Sequence, residues 1–193
     1  WLTLAMLIWL FARPWLPRKL GLMAEGALLL GWIWAWRNGI VSPQIFYWGN
    51  LPLYLLAGVA LYSASCLITG VPVTLFESLC RRPAIHDFQW WRIVLIAPLY
   101  EEVIWRLAAQ SLLTISLVQL GDIGLILALI LISVCFTSWH RVVWKRPRHA
   151  LELMFFSLVL GAAIAWLSDL LLSVCLHVVR NFLILQRHVK NEI

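Results

Sequence analysis

Three segments in the second half of the sequence place polar side chains inside otherwise apolar stretches. These side chains are Glu101, Glu102, Arg106, His140, His177 and Asn181. Carboxylates and imidazoles activate water in enzymes, and a carboxamide can donate a hydrogen bond to a developing oxyanion. Ionisable groups within membrane spans are costly, so by default they indicate a functional site. The set therefore predicts acid–base hydrolysis inside a membrane protein.

The spacing along the predicted helices places these groups at a similar depth. At 1.5 Å per residue, Glu101 lies roughly 13 Å beyond the basic edge at Arg92, and His177 lies roughly 15 Å before Arg187. His140 lies roughly 8 Å before Lys145 in the loop that follows it. All three basic edges are predicted on one side of the membrane. We expect the groups to meet in one cavity between mid-membrane and the cytoplasmic surface.

Each group also has a structural interpretation. Glu102 and Arg106 are four residues apart on one helix face and can form an ion pair that only fixes the helix. His140 can be an interfacial histidine, and His177 can donate to a backbone carbonyl. Asn181 can join two helices by a hydrogen bond. Because a carboxylate, two imidazoles and a carboxamide occur at matching depth, the chemical interpretation is favoured for the set.

The remaining polar and sulfur-containing residues carry weaker signals. Three further histidines lie in basic surroundings and are expected to be solvated: His86, His149 and His188. Arg180 lies inside an apolar stretch with no partner evident from the sequence. The four cysteines are far apart and have no CxxC spacing, which argues against disulfides and against a zinc ribbon.

The composition identifies the environment of these helices. Of 193 residues, 63% are hydrophobic, 12% are charged and 13 are tryptophan, with a mean hydropathy of +0.88. A soluble domain carries about 25% charged residues, and a disordered chain needs low hydrophobicity. The net charge of +6 comes from small basic clusters between apolar stretches, so no nucleic-acid partner is expected. The chain is predicted to be a polytopic membrane protein embedded in a lipid bilayer.

A helix needs about 20 residues to cross a bilayer, and seven apolar stretches of the sequence are candidate spans. They cover residues 1–12, 20–36, 51–76, 93–120, 123–140, 150–168 and 170–186. The sequence therefore predicts an all-α transmembrane bundle of about seven spans, or eight. Residues 1–193 form a single integral-membrane domain in this interpretation, and 93–185 contain the motif-bearing helices. The polar, aromatic segment 77–91 is expected at the membrane interface as a loop or short amphipathic helix.

The loops predict the orientation of the chain. Basic residues cluster after the first, third, fifth and seventh stretches, while the intervening loops carry few. The positive-inside rule then places the basic loops and the C-terminus in the cytoplasm. The small size and short loops favour a bacterial or archaeal protein of the inner membrane.

Together the three motifs resemble those of the CPBP family, also called the ABI family. This family comprises CAAX endopeptidases and bacteriocin-processing or self-immunity relatives. Its signature is EExxxR, then FxxxH, then a histidine with Asn or Asp four residues later. The matching residues, all within 93–185, are Glu101, Glu102, Arg106, Phe136, His140, His177 and Asn181.

The resemblance implies a glutamate-dependent intramembrane endopeptidase that needs no cofactor. Glu101 and His140 would hold and activate the attacking water, and His177 and Asn181 would stabilise the oxyanion. Supporting roles would fall to Glu102, Arg106 and Phe136. The expected substrate is a membrane-anchored or lipid-associated peptide or protein, such as a prenylated CAAX tail, a bacteriocin leader or a C-terminal sorting signal.

Three alternatives stay open at this stage. A non-catalytic relative would bind a transmembrane partner or act as an immunity protein. A proton-coupled transporter would use the same intramembrane Glu and His residues as an ion path. Within the protease class, Glu101, His140 and His177 form a possible zinc-binding set. Because the sequence has no HExxH motif, the metal-free enzyme ranks first.

Overall fold

The computed structural model describes residues 8–10, 12, 15–41, 47–71 and 88–188, without the side chains of 186–188. These residues are almost entirely helical, and no strand occurs among them. The prediction of an all-α fold is therefore confirmed for this part of the chain. The predicted 1–12 span and the 77–91 interfacial segment lie largely outside the described residues.

Six long helical elements, α1 to α6, occur among the residues that the structure describes. They are α1 (Arg18–Arg37), α2 (Leu51–Thr69), α3 (residues 88–116), α4 (Asp122–Trp139), α5 (Pro147–Leu167) and α6 (Leu170–His188). A 3₁₀ turn at Trp48–Asn50 leads into α2, and another at Arg141–Lys145 leads from α4 toward α5. α3 contains two π-helical stretches, which are important for the site described below.

Proline, glycine and aspartate mark several helix ends. Pro147 starts α5, where its missing N–H removes no helical hydrogen bond. Gly70 ends α2 in the left-handed conformation, at φ 68°. Asp169 caps α6 by accepting the Leu172 N–H at 3.1 Å, and its other carboxylate oxygen accepts the Tyr54 hydroxyl of α2. The junction between α5 and α6 is therefore tied to α2.

Within the described ranges, three helical segments are long and apolar enough to cross a bilayer by length and composition. They are Trp48–Thr69, Asp122–Trp139 and Pro147–Leu167. Leu170–Leu185 is apolar but shorter. The prediction of about seven spans is not confirmed, because α1 carries Glu25 with charged ends and α3 is broken into α and π stretches around its charged residues. The apolar helices are those of an integral membrane protein.

Contacts between helices show the relative directions of α2, α5 and α6. α2 and α6 run parallel, because Tyr54 reaches Asp169 near their first turns and Gly58 lies against Val179 further along both. α2 and α5 run antiparallel, since Ser65 near the end of α2 donates a hydrogen bond to Glu152 near the start of α5. α5 and α6 are therefore antiparallel to each other.

Gly58 allows the closest approach between α2 and α6. A Cβ atom at this position would lie 2.9 Å from Val179 Cβ, which is closer than packed atoms tolerate. Val179 lies between His177 and Asn181 on α6. The contact therefore sets the distance between α2 and the helix that carries two predicted site residues.

We predict that Gly58→Val destabilises the protein by about 1–3 kcal/mol, because the added atoms force α2 away from α6. The measurement is the melting temperature of the purified protein in detergent. Gly26→Val on α1 is the matched control, since no atom lies within 4 Å of a Cβ placed there. Equal melting temperatures for the two variants would contradict the close packing at Gly58.

Candidate active site

A proline in α3 shapes the backbone next to the predicted acidic residues. Pro98 follows the π-helical stretch Arg92–Ile96, and a second π-helical stretch covers Val103–Gln110. Proline has no N–H to donate within a helix, and a wider π turn accommodates this break. Glu101 and Glu102 lie in the short α-helical segment between the two stretches. Such irregular turns are frequent at functional sites.

The same proline accounts for the position of Asn181. The Ala97 N–H donates to the Arg92 carbonyl, five residues back, and this pattern pairs the Ile93 carbonyl with Pro98, which has no N–H. Asn181 Nδ2 instead donates to the Ile93 carbonyl at 3.0 Å. The amide thus joins α6 to the start of α3. An amide nitrogen carries two hydrogens, so one donor is left for another acceptor.

Glu101 lies between two imidazole rings. Its Oε2 atom is 3.7 Å from His140 Nε2 and 3.6 Å from His177 Nε2. Both separations exceed the usual 2.7–3.2 Å of a direct N–H···O hydrogen bond. The side chains of Glu101 and His140 are 12% and 32% exposed, so the group can be reached from outside the bundle. The structure therefore brings together three residues that are far apart in the sequence.

His140 is oriented by the end of its own helix. It follows α4 directly, and its Nδ1 atom lies 2.9 Å from the Phe136 carbonyl oxygen. A carbonyl only accepts, so Nδ1 carries a proton, and the Nε2 atom of the ring faces Glu101. The buried Phe136 ring lies 4.7 Å from the His140 ring and 6.0 Å from the His177 ring, measured between centroids. Phe136 thus separates the two imidazoles from the bundle core.

Glu102 is fully buried and is held by three side chains. Its Oε1 atom accepts a hydrogen bond from His177 Nδ1 at 2.8 Å, and its Oε2 atom accepts the Ser173 hydroxyl. Arg106, four residues along α3, places its Nε atom 3.5 Å from Oε2. Arg106 Nη2 also donates to Ser157 of α5 at 2.6 Å. This network links α3, α5 and α6, and it orients His177 so that its Nε2 atom faces Glu101.

A second buried ion pair accounts for Arg180. Its guanidinium donates from Nε and Nη2 to the Glu152 carboxylate at 2.9 and 2.6 Å, a bidentate geometry. Ser65 of α2 donates to the same carboxylate. The sequence shows no evident partner for Arg180, although Glu152 carries the opposite charge inside a neighbouring apolar stretch. Glu25 of α1 is also buried, and it accepts a hydrogen bond from the Tyr100 hydroxyl of α3, a contact that the sequence does not predict.

The other sequence-based expectations have mixed outcomes. His149 is partly buried rather than fully solvated, while His86 and the side chain of His188 lie outside the described residues. The three described cysteines are buried and form no disulfide with one another: Cys66, Cys135 and Cys175. Within the described part of the chain, no group of three or more His, Cys, Asp or Glu side chains is arranged to hold a metal ion.

Comparison with known proteins identifies the family. Residues 85–183, just over half of the chain, match the type II CAAX prenyl endopeptidase Rce1-like family. The chain belongs to this family. The match covers α3 to most of α6 and confirms the CPBP resemblance of the sequence motifs. No curated protein and no solved structure matches the chain significantly.

We predict that Arg180→Met destabilises the protein by about 3–5 kcal/mol, because the Glu152 carboxylate loses its buried partner. The double variant Arg180→Met/Glu152→Leu should recover most of this loss, since apolar residues often replace a buried ion pair without a penalty. Thermal unfolding in detergent measures both variants. A double variant as unstable as the single one would show that the pair does not interact as the structure indicates.

Proposed function

We propose that this family member is a glutamate-dependent intramembrane endopeptidase with its site at Glu101, His140, His177 and Asn181. The observation that carries the proposal is the position of Glu101 Oε2, within 3.7 Å of two imidazole nitrogens. Each imidazole is oriented by a separate hydrogen bond to its other nitrogen. A base held by an oriented partner is the arrangement that water activation requires.

In this mechanism Glu101 and His140 hold one water molecule between them. The Glu101 carboxylate takes a proton from the water as its oxygen attacks the scissile carbonyl carbon. The same proton is then given to the nitrogen of the leaving amine when the C–N bond breaks. His140 accepts the second hydrogen of the water in a hydrogen bond through Nε2, which fixes the direction of attack.

His177 and Asn181 are proposed to stabilise the oxyanion. A doubly protonated His177 donates from Nδ1 to Glu102 and from Nε2 to the developing negative charge. Asn181 uses the amide hydrogen that is not engaged by the Ile93 carbonyl. Donors that are oriented before the reaction need no reorganisation when the charge forms. Glu102, Arg106 and Phe136 support these groups by fixing ring orientations and excluding water.

An apolar groove supports a substrate that carries a lipid or a membrane anchor. The groove has a volume of about 640 Å³ and lies between α2, the start of α3 and α6. Leu55 and Val59 line it from α2, Trp90 and Val94 from α3, and Val178 and Phe182 from α6. Val178 and Phe182 flank the turn of α6 that carries Asn181. A prenyl or acyl chain in this groove would hold a peptide next to the proposed site.

The proposed setting is a prokaryotic inner membrane, with the site toward the cytoplasmic side. The basic loops of the sequence support this orientation through the positive-inside rule. A substrate anchored in the same membrane would reach the site from the cytoplasmic leaflet, where a prenylated tail or leader peptide lies.

We predict that Glu101→Gln abolishes cleavage and leaves the melting temperature unchanged, because Glu101 makes no direct hydrogen bond to either histidine. Arg106→Ala should lower both the cleavage rate and the melting temperature, since Glu102 is then buried without its cation. The assay uses purified protein in detergent and a fluorescence-quenched peptide with a farnesylated CAAX terminus.

A chelator in the same assay separates the metal-free enzyme from the zinc alternative. Turnover is expected to survive the chelator.

Wild-type turnover by Glu101→Gln would refute the role of Glu101. If the Arg106→Ala variant is inactive but as stable as the wild type, Arg106 acts directly in the reaction rather than as a supporting residue.

We also predict that Asn181→Ala lowers kcat by about 10²–10³, the effect of removing one oxyanion donor. KM should change little, because this donor acts in the transition state. Asn181→Ala also removes the hydrogen bond to Ile93, so its melting temperature is measured in parallel. If kcat is unchanged and the melting temperature falls, Asn181 only joins α6 to α3 and does not stabilise the oxyanion.

A further inference from the structure

Four buried side chains behind Glu102 have polar atoms without a hydrogen-bond partner among the described residues. The atoms are Arg106 Nη1, Gln110 Oε1, Ser133 Oγ and Thr137 Oγ1, while Arg106 Nε already faces Glu102 Oε2 at 3.5 Å. None of these residues is more than 2% exposed. Buried polar groups are nearly always hydrogen-bonded, either to the protein or to ordered water. A concentration of unpaired atoms in one region therefore indicates a ligand with hydrogen-bonding capacity.

The α3 members of this set meet α5 at Gly161. From a Cβ position built on Gly161, Gln110 Oε1 lies 2.9 Å away and Arg106 Nη1 lies 3.5 Å away. Gln110 Nε2 donates to the Gly161 carbonyl at 2.8 Å, which leaves its oxygen directed into the same space. Because glycine has no side chain, the polar ends of Arg106 and Gln110 fit beside the α5 backbone.

The α4 members lie on the face of α4 that packs against this layer. Leu129 Cδ2 is 2.9 Å from the Cβ position built on Gly161, and Ser133 follows Leu129 by four residues on the same helix face. Thr137 follows Ser133 by another four. His140 lies three residues further, so the polar stripe of α4 ends at the proposed active site.

A cavity reaches the other end of this polar layer. It has a volume of about 280 Å³, and its polar lining comes from Gln110, Ser111, Thr114 and Ser168. Gln110 lies eight residues beyond Glu102 along α3, on the side away from the basic loop at Arg92. Gln110 is therefore shared by the cavity and by the unpaired layer.

The chemistry of the unpaired atoms favours water as the occupant. Serine and threonine hydroxyls can bond back to the carbonyl one turn earlier, but this would leave Arg106 Nη1 and the Gln110 acceptor unpaired. The set contains donors, an acceptor and two groups that can do either. Water both donates and accepts, and a buried water typically makes two to four such bonds.

We propose that Arg106, Gln110, Ser133 and Thr137 form a buried water-binding site, connected through Gln110 to the polar cavity and extending along α4 toward His140. The bound water bridges the Arg106 guanidinium to the hydroxyls of α4 and to the Gln110 carbonyl oxygen. Arg106 is thereby held against Glu102 by the water as well as by the Ser157 hydroxyl. The binding of water here does not depend on the proposed hydrolysis.

Hydroxyl-radical footprinting by X-ray radiolysis in ¹⁸O-labelled water tests the proposal on the full-length protein in lipid nanodiscs. Radicals formed from bound water oxidise the side chains beside it, so Leu129 should be labelled several-fold more than Leu113 and Leu160. Those two leucines are fully buried in apolar clusters and serve as internal references. The same labelling is expected in Glu101→Gln, which separates this test from that of the proposed function.

The double variant Ser133→Ala/Thr137→Val should lower Leu129 labelling several-fold, because two of the bridging hydroxyls are lost. Ser63→Ala is the matched control, since the Ser63 hydroxyl already donates to the Val59 carbonyl at 2.7 Å. Wild-type labelling of Leu129 no higher than that of Leu113 and Leu160 would overturn the proposal without any variant. Undiminished labelling in the folded double variant would also overturn it.

Discussion

The buried carboxylate of Glu102 is the constraint on which the rest of the site depends. Its side chain is fully buried, and an ionised carboxylate in a low-dielectric interior requires partners for both oxygens. The partners are Arg106 on the same helix, and Ser173 and His177 on α6. These bonds fix how far α3 and α6 can slide or rotate relative to each other. A register in which Glu102 lost them would bury an unpaired charge.

Helix α6 carries the polar groups that hold the neighbouring helices. Ser173 and His177 bond to α3, while Arg180 forms the bidentate pair with Glu152 of α5. The spacing of four and three residues puts all three side chains on adjacent faces of one helix. Apolar surfaces pack without a preferred register in a lipid environment, whereas hydrogen-bonded pairs are directional. The two buried carboxylates therefore set the position of α6 from both sides.

Backbone irregularity in α3 complements this side-chain network. Pro98 removes one helical donor, the helix widens to a π turn, and the freed Ile93 carbonyl is bonded by Asn181. A single proline thus explains why a carboxamide on α6 faces the start of α3. The same helix places Glu101 and Glu102 on neighbouring positions with different tasks, one partly exposed between two imidazoles and the other buried in the scaffold.

The sequence by itself predicted the helical class and the membrane setting, because hydrophobic length is a local property. Helical spacing also predicted that Glu101, His140 and His177 lie at a similar depth, and the structure brings these three together. It also predicted the Glu102–Arg106 pair, whose members are one turn apart. It did not determine that Arg180 pairs with Glu152, that Asn181 is bonded to Ile93, or that His177 is held by Glu102. These contacts join residues that are 28, 88 and 75 positions apart. Only the packing of α3, α5 and α6 decided them, since a buried charge or carbonyl takes whichever partner the neighbouring helix presents at its depth.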